Sequence, residues 1–116
     1  MDLADFLHRY TDDVYHATDP EAAVRYIADP CLRHEHGELV TMSLADNLDR
    51  IRAFLATAPG VRITNRLLVV GSDGLVSSCF EITIGDQTVS GIEVFRVVDG
   101  LITETWNSTV QAGAWG

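Results

Sequence analysis

The sequence contains no lysine and only two cysteines, Cys31 and Cys79, among its 116 residues. Two widely separated cysteines provide neither a disulfide framework nor the CxxC pair of a zinc site. No apolar run approaches the roughly 20 residues of a membrane-spanning helix. The stretch from Met1 to Asp5 lacks the positively charged and apolar regions of a signal peptide. These absences predict a cytoplasmic protein with no membrane segment.

Basic side chains of any kind are scarce. Eight arginines stand against 17 aspartates and glutamates, which gives a formal net charge of -9. This balance argues against nucleic acid or an anionic membrane surface as a partner. The hydrophobic share of 47% is too high for a disordered chain, and the length suits one compact core. We therefore expect a single domain over residues 1–116.

The first half of the chain has helical periodicity. Apolar residues recur at helical spacing from Leu3 to Ala17, which predicts an amphipathic helix. Asp19-Pro20 is typical of a helix start, and Pro30 would end this second, short helix, with Val24 facing inward. The third helix is predicted from a cap at Ser43 to Pro59-Gly60. The intervening residues 31–42 would form one or two brief strands.

The second half of the chain changes to strand periodicity. Short turns rich in glycine and aspartate separate β-branched runs, which favours antiparallel neighbours. The order of elements predicts an α+β fold in which three N-terminal helices pack on a curved antiparallel sheet. The predicted strands are 61–70, 75–84, 88–98 and 101–110.

Strand 88–98 is apolar on both faces. Ile92, Val94 and Val98 alternate with Val89, Phe95 and Val97. A strand that is dry on both sides needs a cover on each, and the helices supply only one. The pattern predicts a homodimer packed sheet to sheet. The alternative is that the chain's own tail, Trp106 to Trp115, folds back over the sheet.

Glu93 interrupts this apolar strand, where a charge is costly unless it is paired or neutralised. A carboxyl in such a setting has a raised pKa and suits a proton donor or general acid. The competing interpretation pairs Glu93 with Arg96 or another arginine.

A polar segment, Arg33-His34-Glu35-His36-Gly37-Glu38, falls between the predicted helices. On a strand, His34 and His36 point the same way and with a carboxylate would bind a metal, which is a minor interpretation. Glu35 points to the opposite side and is a candidate general base, as is His34 at neutral pH. A solvated polar loop is the simpler alternative.

Tyr10 lies on the apolar face of the first helix. Most tyrosines at such positions only pack, but a hydroxyl that points into a cavity can donate to an oxyanion. Glu81 belongs to a polar row and is expected to face outward or an interface. Because the sequence has no phosphate-binding loop, nucleophile elbow or Ser-His-Asp arrangement, it does not support covalent catalysis.

The order of elements resembles the SnoaL-like, ketosteroid isomerase and nuclear transport factor 2 (NTF2) superfamily, in which a curved sheet forms a cone around helices. The most specific segments are Gly91-Ile92-Glu93-Val94-Phe95-Arg96, Asp99-Gly100-Leu101-Ile102 and Glu104-Thr105-Trp106. They are similar to the family pattern I-D-x-F-R, D-G-x-I and W. The resemblance spans nearly the whole chain and implies a cystatin-like α+β barrel.

The resemblance also implies roles for individual residues. Glu93 takes the place of an acidic aspartate, Tyr10 falls near an oxyanion tyrosine, and Glu35 falls at the base position. A register change of one residue would bring His34 or His36 into the pocket instead. The predicted pocket lining is Phe6, Val14, Phe54, Phe95 and Trp106.

The expected function is acid/base catalysis without a cofactor or metal, of the isomerase or polyketide-cyclase type. Its substrate would be a small hydrophobic carbonyl compound such as a steroid-like or polyketide-like ring. The alternative is a dimeric ligand-binding or protein-interaction module of the same fold that carries out no reaction.

Overall fold

The computed structural model describes all 116 residues. The chain begins with an α-helix that continues directly into a π-helical segment. Helix α1 spans Leu3–Tyr10, and the side chain of Asp2 caps it by accepting a hydrogen bond from the Asp5 amide at 3.0 Å. The chain then continues without a break as a π-helical segment, Thr11–His16. The predicted helix is therefore present, but its last turns are wider than the α-helix that the periodicity indicates.

The predicted second helix is mostly wrong. Only a short 3-10 segment forms, Pro20–Arg25, and strand β1 begins immediately afterwards and spans Ile27–Glu35. Val24 is 47% exposed instead of facing inward. The reason is tertiary, because β1 satisfies its backbone groups by pairing with two other strands. Local helix signals are a weak prior against such pairing.

The third predicted helix is present as α2, Leu44–Thr57. The Ser43 hydroxyl accepts a hydrogen bond from the Asp46 amide at 3.1 Å, as the capping pattern predicts. Leu48, Ile51 and Leu55 form its buried stripe. This stripe holds α2 against the concave side of the sheet.

The strands form one sheet in the order β2-β1-β6-β5-β4-β3. Its pairs are antiparallel except β1 with β6, which run parallel, whereas the sequence predicts only antiparallel pairs. A two-residue strand, β7, extends the edge of β5 beyond the end of β6. The remaining bounds are β2 Glu38–Met42, β3 Arg62–Val70, β4 Leu75–Ile84, β5 Gln87–Val98, β6 Leu101–Asn107 and β7 Gln111–Ala112.

Irregularities in the ladders curl this sheet around the helices. The register shifts between Asn65 and Leu67 in β3 and between Arg96 and Val97 in β5. Such bulges bend a strand and increase its twist. The α+β architecture with a curved sheet is therefore confirmed, and its concave side faces α1, the π-helical segment and α2. No helix has the length and apolarity required to cross a membrane.

Candidate functional site

A cavity of about 270 Å³ lies between the concave face of the sheet and the helices. Hydrophobic side chains supply 11 of its 20 lining residues, including Leu7, Phe54, Phe80 and Phe95. The polar residues in the lining come from both the helices and the strands of the sheet. A mostly apolar cavity with a few converging polar groups is the usual form of a small-molecule site.

Glu93 points into this cavity from the centre of β5, as its strand parity predicts. Ser78 of β4 and Asn107 of β6 flank it in the sheet. Glu93 belongs to no salt bridge in the structure, and Arg96 instead contacts Glu104 on the convex face. Burial raises the pKa of Glu93 to about 7, and nearby Glu35 adds to this rise, whereas Arg33 and Arg50 oppose it. The carboxyl is therefore close to half-protonated at neutral pH.

Two tyrosines meet at the helical side of the cavity. The hydroxyl oxygens of Tyr10 and Tyr15 lie 3.4 Å apart, and their rings meet edge to face. Burial raises the pKa of Tyr10 well above its ordinary value, and the neighbouring Tyr15 adds to the effect. The Tyr10 hydroxyl therefore keeps its proton at neutral pH. Since one hydroxyl donates to the other, the second O–H is free to donate to a ligand.

Two arginines also line the cavity, Arg33 from β1 and Arg50 from α2. Arg33 donates from Nη2 to Glu35 at 3.2 Å, and Arg50 donates from Nε to the Asn47 side-chain oxygen at 3.1 Å. Burial opposes the charge on Arg50, but the neighbouring Tyr15, Tyr10 and Glu93 raise its pKa overall. Both guanidinium groups lie close enough to lower the pKa of Glu93.

A third group of polar residues forms a connected chain along the wall. Ser78 donates to the side-chain oxygen of Asn65 at 2.8 Å, and Asn65 donates to the hydroxyl of Thr11 at 3.3 Å. The Thr11 hydroxyl donates onward to the Leu7 carbonyl at 2.9 Å. These groups satisfy one another, so this wall does not depend on a ligand for its hydrogen bonds.

The structure brings some of the predicted site residues together and separates others. Glu93, Tyr10, Phe54 and Phe95 all line the cavity. Phe6, Val14 and Trp106 do not, so this part of the predicted lining is wrong. Phe6 and Val14 are packed in the core on sides of the helix turned away from the cavity. Trp106 belongs to the convex face of β6.

The polar segment of β1 divides between the two faces of the sheet. His34 lies on the convex face, where it hydrogen-bonds Glu104 at 2.7 Å and stacks on Trp106. The prediction that His34 serves as the base in the pocket is therefore wrong. Glu35 lies on the concave side of β1, beside Arg33 and just outside the lining. His36 is exposed in the turn after β1, and no cluster of three His, Cys, Asp or Glu side chains converges to bind a metal.

Sequence reasoning missed Arg33, Arg50 and Tyr15 as site residues. Strand parity would have found Arg33, because it is two residues from Glu35 and shares its face. Arg50 lies on an amphipathic helix, where a charged side chain is expected to face solvent. Tyr15 had no signal, because only the π-helical geometry turns it toward the cavity.

The convex face of the sheet carries a separate network. Arg66 donates two hydrogen bonds to Glu81, at 2.9 and 3.2 Å, and the Trp115 amide donates to the same carboxylate at 2.8 Å. The Trp115 indole donates to the Phe80 carbonyl at 3.0 Å. Glu81 therefore lies on the convex face, where the end of the chain buries it, and Trp115 covers this part of the sheet.

No protein-family model and no curated protein matches the chain, but solved structures resemble it along most of its length. A candidate polyketide cyclase from Acidithiobacillus ferrooxidans is 18% identical, with a TM-score of 0.77 over 91% of this chain and 86% of its own. The candidate polyketide cyclase IdmH from Streptomyces antibioticus is also 18% identical, with a TM-score of 0.75 over 93% and 91%. An NTF2-like protein of unknown function from Mesorhizobium loti is 25% identical, with a TM-score of 0.72 over 94% and 90%.

The chain has the SnoaL-like, NTF2-like fold. The resemblance that the sequence motifs indicate is confirmed at this level. The cavity between the sheet and the helices carries Glu93 together with two arginines. Because a fold hosts many activities, the chemistry has to be argued from these side chains.

Proposed function

We propose that this SnoaL-like domain is an acid/base enzyme of the isomerase or polyketide-cyclase type. It would act without a cofactor on a small hydrophobic carbonyl compound. The observation that carries the proposal is Glu93, a carboxyl with no ion-pair partner inside a mostly apolar cavity. A carboxyl whose pKa is about 7 exchanges a proton readily at neutral pH in either direction.

The size of the cavity supports a compact substrate. A cavity of about 150 Å³ in another protein binds one benzene ring. The cavity here, at about 270 Å³, is nearly twice as large. It suits two fused rings or a folded chain of similar volume better than a complete four-ring steroid.

In the proposed reaction, ionised Glu93 removes a proton from the carbon next to the substrate carbonyl. The carbonyl oxygen becomes an enolate oxygen, and the free O–H of the Tyr10–Tyr15 pair donates a hydrogen bond to it. Protonated Glu93 then returns the proton to another carbon, which completes an isomerisation. In a cyclisation, the enolate carbon instead attacks a second carbonyl carbon of the same molecule, and protonated Glu93 gives its proton to the alkoxide oxygen that forms. Glu35 is the second candidate base, at the edge of the same cavity.

The solved structures of similar fold agree with this class of reaction, since two of them are candidate polyketide cyclases. Because these structures are only 18% identical to this chain, their likeness supports the fold alone. The substrate class is therefore argued from Glu93 and the cavity.

The proposal is tested with a simple bicyclic ketone, 2-tetralone, in D₂O. An enzyme that forms an enolate catalyses exchange of the hydrogens next to the carbonyl, which NMR follows directly. We expect catalysed exchange with the unmodified protein and a loss of about 100-fold or more in Glu93→Gln, because the amide cannot accept the proton. The exposed Glu38→Gln is the matched control and should keep the full rate.

Exchange no faster than in buffer, with 2-tetralone nevertheless bound, would instead identify a ligand-binding module without catalysis. An equal rate in Glu93→Gln and the unmodified protein would exclude Glu93 as the acid/base group. Circular dichroism of both variants confirms that any loss does not reflect unfolding.

We also propose that the convex face of the sheet binds a second copy of the chain. Leu67 and Ile92 are 56% and 40% exposed on this face, and Leu39 and Val69 are exposed on it as well. Trp115 covers only the region around Phe80 and Gly91. An exposed apolar sheet surface of this kind is self-complementary under two-fold symmetry.

A further inference from the structure

Two buried donors beside the cavity have no hydrogen-bond partner. They are the Nε of Arg33 and the side-chain nitrogen of Asn47. Arg33 is only 8% exposed, and Asn47 is fully buried. A buried donor without a partner costs about 1–3 kcal/mol, so folded proteins rarely keep one without a reason. Both residues line the cavity, although the two unsatisfied nitrogens are themselves covered by other protein atoms.

The charges in the same region are also unbalanced. Arg33 has a carboxylate partner, Glu35, whereas Arg50 forms no salt bridge and contacts the side chains of Asn47 and Tyr15. When Glu93 is protonated, Arg50 lines a mostly apolar cavity as a cation without a counter-ion. Since a cation beside apolar surface is stabilised by a paired anion, this arrangement favours an anion in the cavity.

We propose that the cavity recognises its ligand through a carboxylate held by Arg33 and Arg50. The inference rests on the proposed function only in that both use the same cavity. A carboxylate has two oxygens that accept from guanidinium forks, and its single negative charge balances Arg50. The rest of the ligand would lie against the apolar wall formed by Phe54, Phe80 and Phe95.

The substrate class is therefore a compact one- or two-ring carboxylic acid that also bears a carbonyl group. Glu93 and Tyr10 line the same cavity as the arginines. A ligand anchored by its carboxylate would thus bring its remaining polar groups to the proton-transfer residues. When one end of a small substrate is anchored, binding energy fixes its orientation and holds the other end at the reacting groups.

The test compares two probes of the same shape, 2-naphthoate and its neutral amide, 2-naphthamide. Calorimetry on the unmodified protein at about pH 6, where Glu93 is mostly protonated, measures both affinities. Hydrogen bonds to charged groups predict that 2-naphthoate binds about 10- to 100-fold more tightly than the amide. 2-Naphthoate should also compete with 2-tetralone in the exchange assay. Equal affinities, or tighter binding of the amide, would overturn the inference.

Variants locate the charge that the carboxylate contacts. Arg50→Gln should abolish the preference for 2-naphthoate while the amide binds as before, and Arg33→Gln should reduce it. The exposed Arg62→Gln is the control for a change in net charge and should keep the preference. If Arg33→Gln fails to fold, the partly exposed Arg50 still decides the question. A preference that survives in Arg50→Gln would show that the anion binds elsewhere.

The two proposals can fail separately. Catalysed exchange of 2-tetralone without any preference for the carboxylate would overturn only the inference about the ligand. A strong preference for 2-naphthoate without catalysed exchange would overturn only the proposed catalysis. If neither 2-tetralone nor 2-naphthoate binds, both proposals are wrong.

Discussion

The hydroxyls of Tyr10 and Tyr15 lie 3.4 Å apart in the cavity although five residues separate them in the chain. In an α-helix, residues four apart share a face, and residues five apart do not. The π-helical segment Thr11–His16 adds one residue to the turn and so brings the two rings together. Single π-helical turns of this kind occur frequently at functional sites.

The first prediction concerns this pair of hydroxyls. Removing a donor to the enolate should lower the rate of enolate formation by about 100-fold, so we expect this loss of exchange in Tyr10→Phe and a smaller loss in Tyr15→Phe. Tyr26→Phe is the control, because its hydroxyl donates to Asp13 outside the cavity. Exchange of 2-tetralone measures all three variants. A loss of similar size in Tyr26→Phe would indicate a general effect on packing.

The second prediction follows from the pKa of Glu93, which is raised from 4.5 to about 7. Between these values the folded protein binds more protons at this site than the unfolded chain does. Stability contributed by protonated Glu93 is therefore lost as the pH rises through this range. Glu93→Gln cannot ionise, so at about pH 8 it should be more stable than the unmodified protein by about 1–3 kcal/mol.

At about pH 5 the same variant should differ little in stability, because Glu93 is then mostly protonated. Urea unfolding at both pH values measures the difference in the free energy of unfolding. Glu38→Gln, at the exposed start of β2, should show no such dependence on pH. A Glu93→Gln variant that is less stable at about pH 8 would mean that the carboxylate is favourably paired in the folded protein.

The third prediction tests whether the chain forms a dimer through the convex face of the sheet. Light scattering after gel filtration should give the mass of a dimer for the unmodified protein and of a monomer for the double variant Leu67→Asp, Ile92→Asp. Burying two carboxylates in an apolar interface costs more than such an interface contributes. Val24→Asp places a charge on an apolar residue outside the sheet and should leave the mass unchanged. A monomeric unmodified protein would contradict the proposed dimer.

The fourth prediction concerns the size of the cavity. A Cβ added at Gly91 would lie 2.8 Å from Cζ of Phe80, so the ring would have to move within the cavity wall. We expect Gly91→Ala to weaken binding of 2-naphthoate by about 10-fold, because losing the volume of one methylene group matters in a pocket that the ligand fills. Benzoate is smaller, so its binding should change much less. Gly71→Ala is the control, because its added Cβ would make only ordinary contacts, at 3.7 Å and beyond. Equal losses for both probes would contradict a steric effect.

Much of the fold was predicted correctly where an element depends only on residues close together in the sequence. The cap at Ser43, the buried stripe of α2 and the alternation of β5 all appear in the structure as predicted. The segment from Val24 to Pro30 did not follow its local signals, because the parallel pairing of β1 with β6 joins residues about 70 positions apart. No window of the sequence contains that pairing.

The candidate site divides in the same way. Glu93 was found because a lone carboxyl in an apolar strand needs an explanation wherever the strand is placed. Arg50 was missed because an arginine on a helix gives no local sign of whether its charge meets water or a cavity. Arg33 could have been found, because it shares a strand face with Glu35. The choice between Glu35 and His34 depended on the register of β1, which its partners set.

The sequence by itself determined the α+β class, the strand that carries Glu93 and the deficit of basic residues, because composition and periodicity report directly on burial. Only the tertiary structure decided which polar groups share the cavity. It turned Tyr15 inward through a π-helical turn, placed His34 on the convex face and left Arg50 beside Glu93 without a carboxylate partner. The physical reason is that convergence depends on the curvature and register of the sheet, which contacts between distant segments establish together.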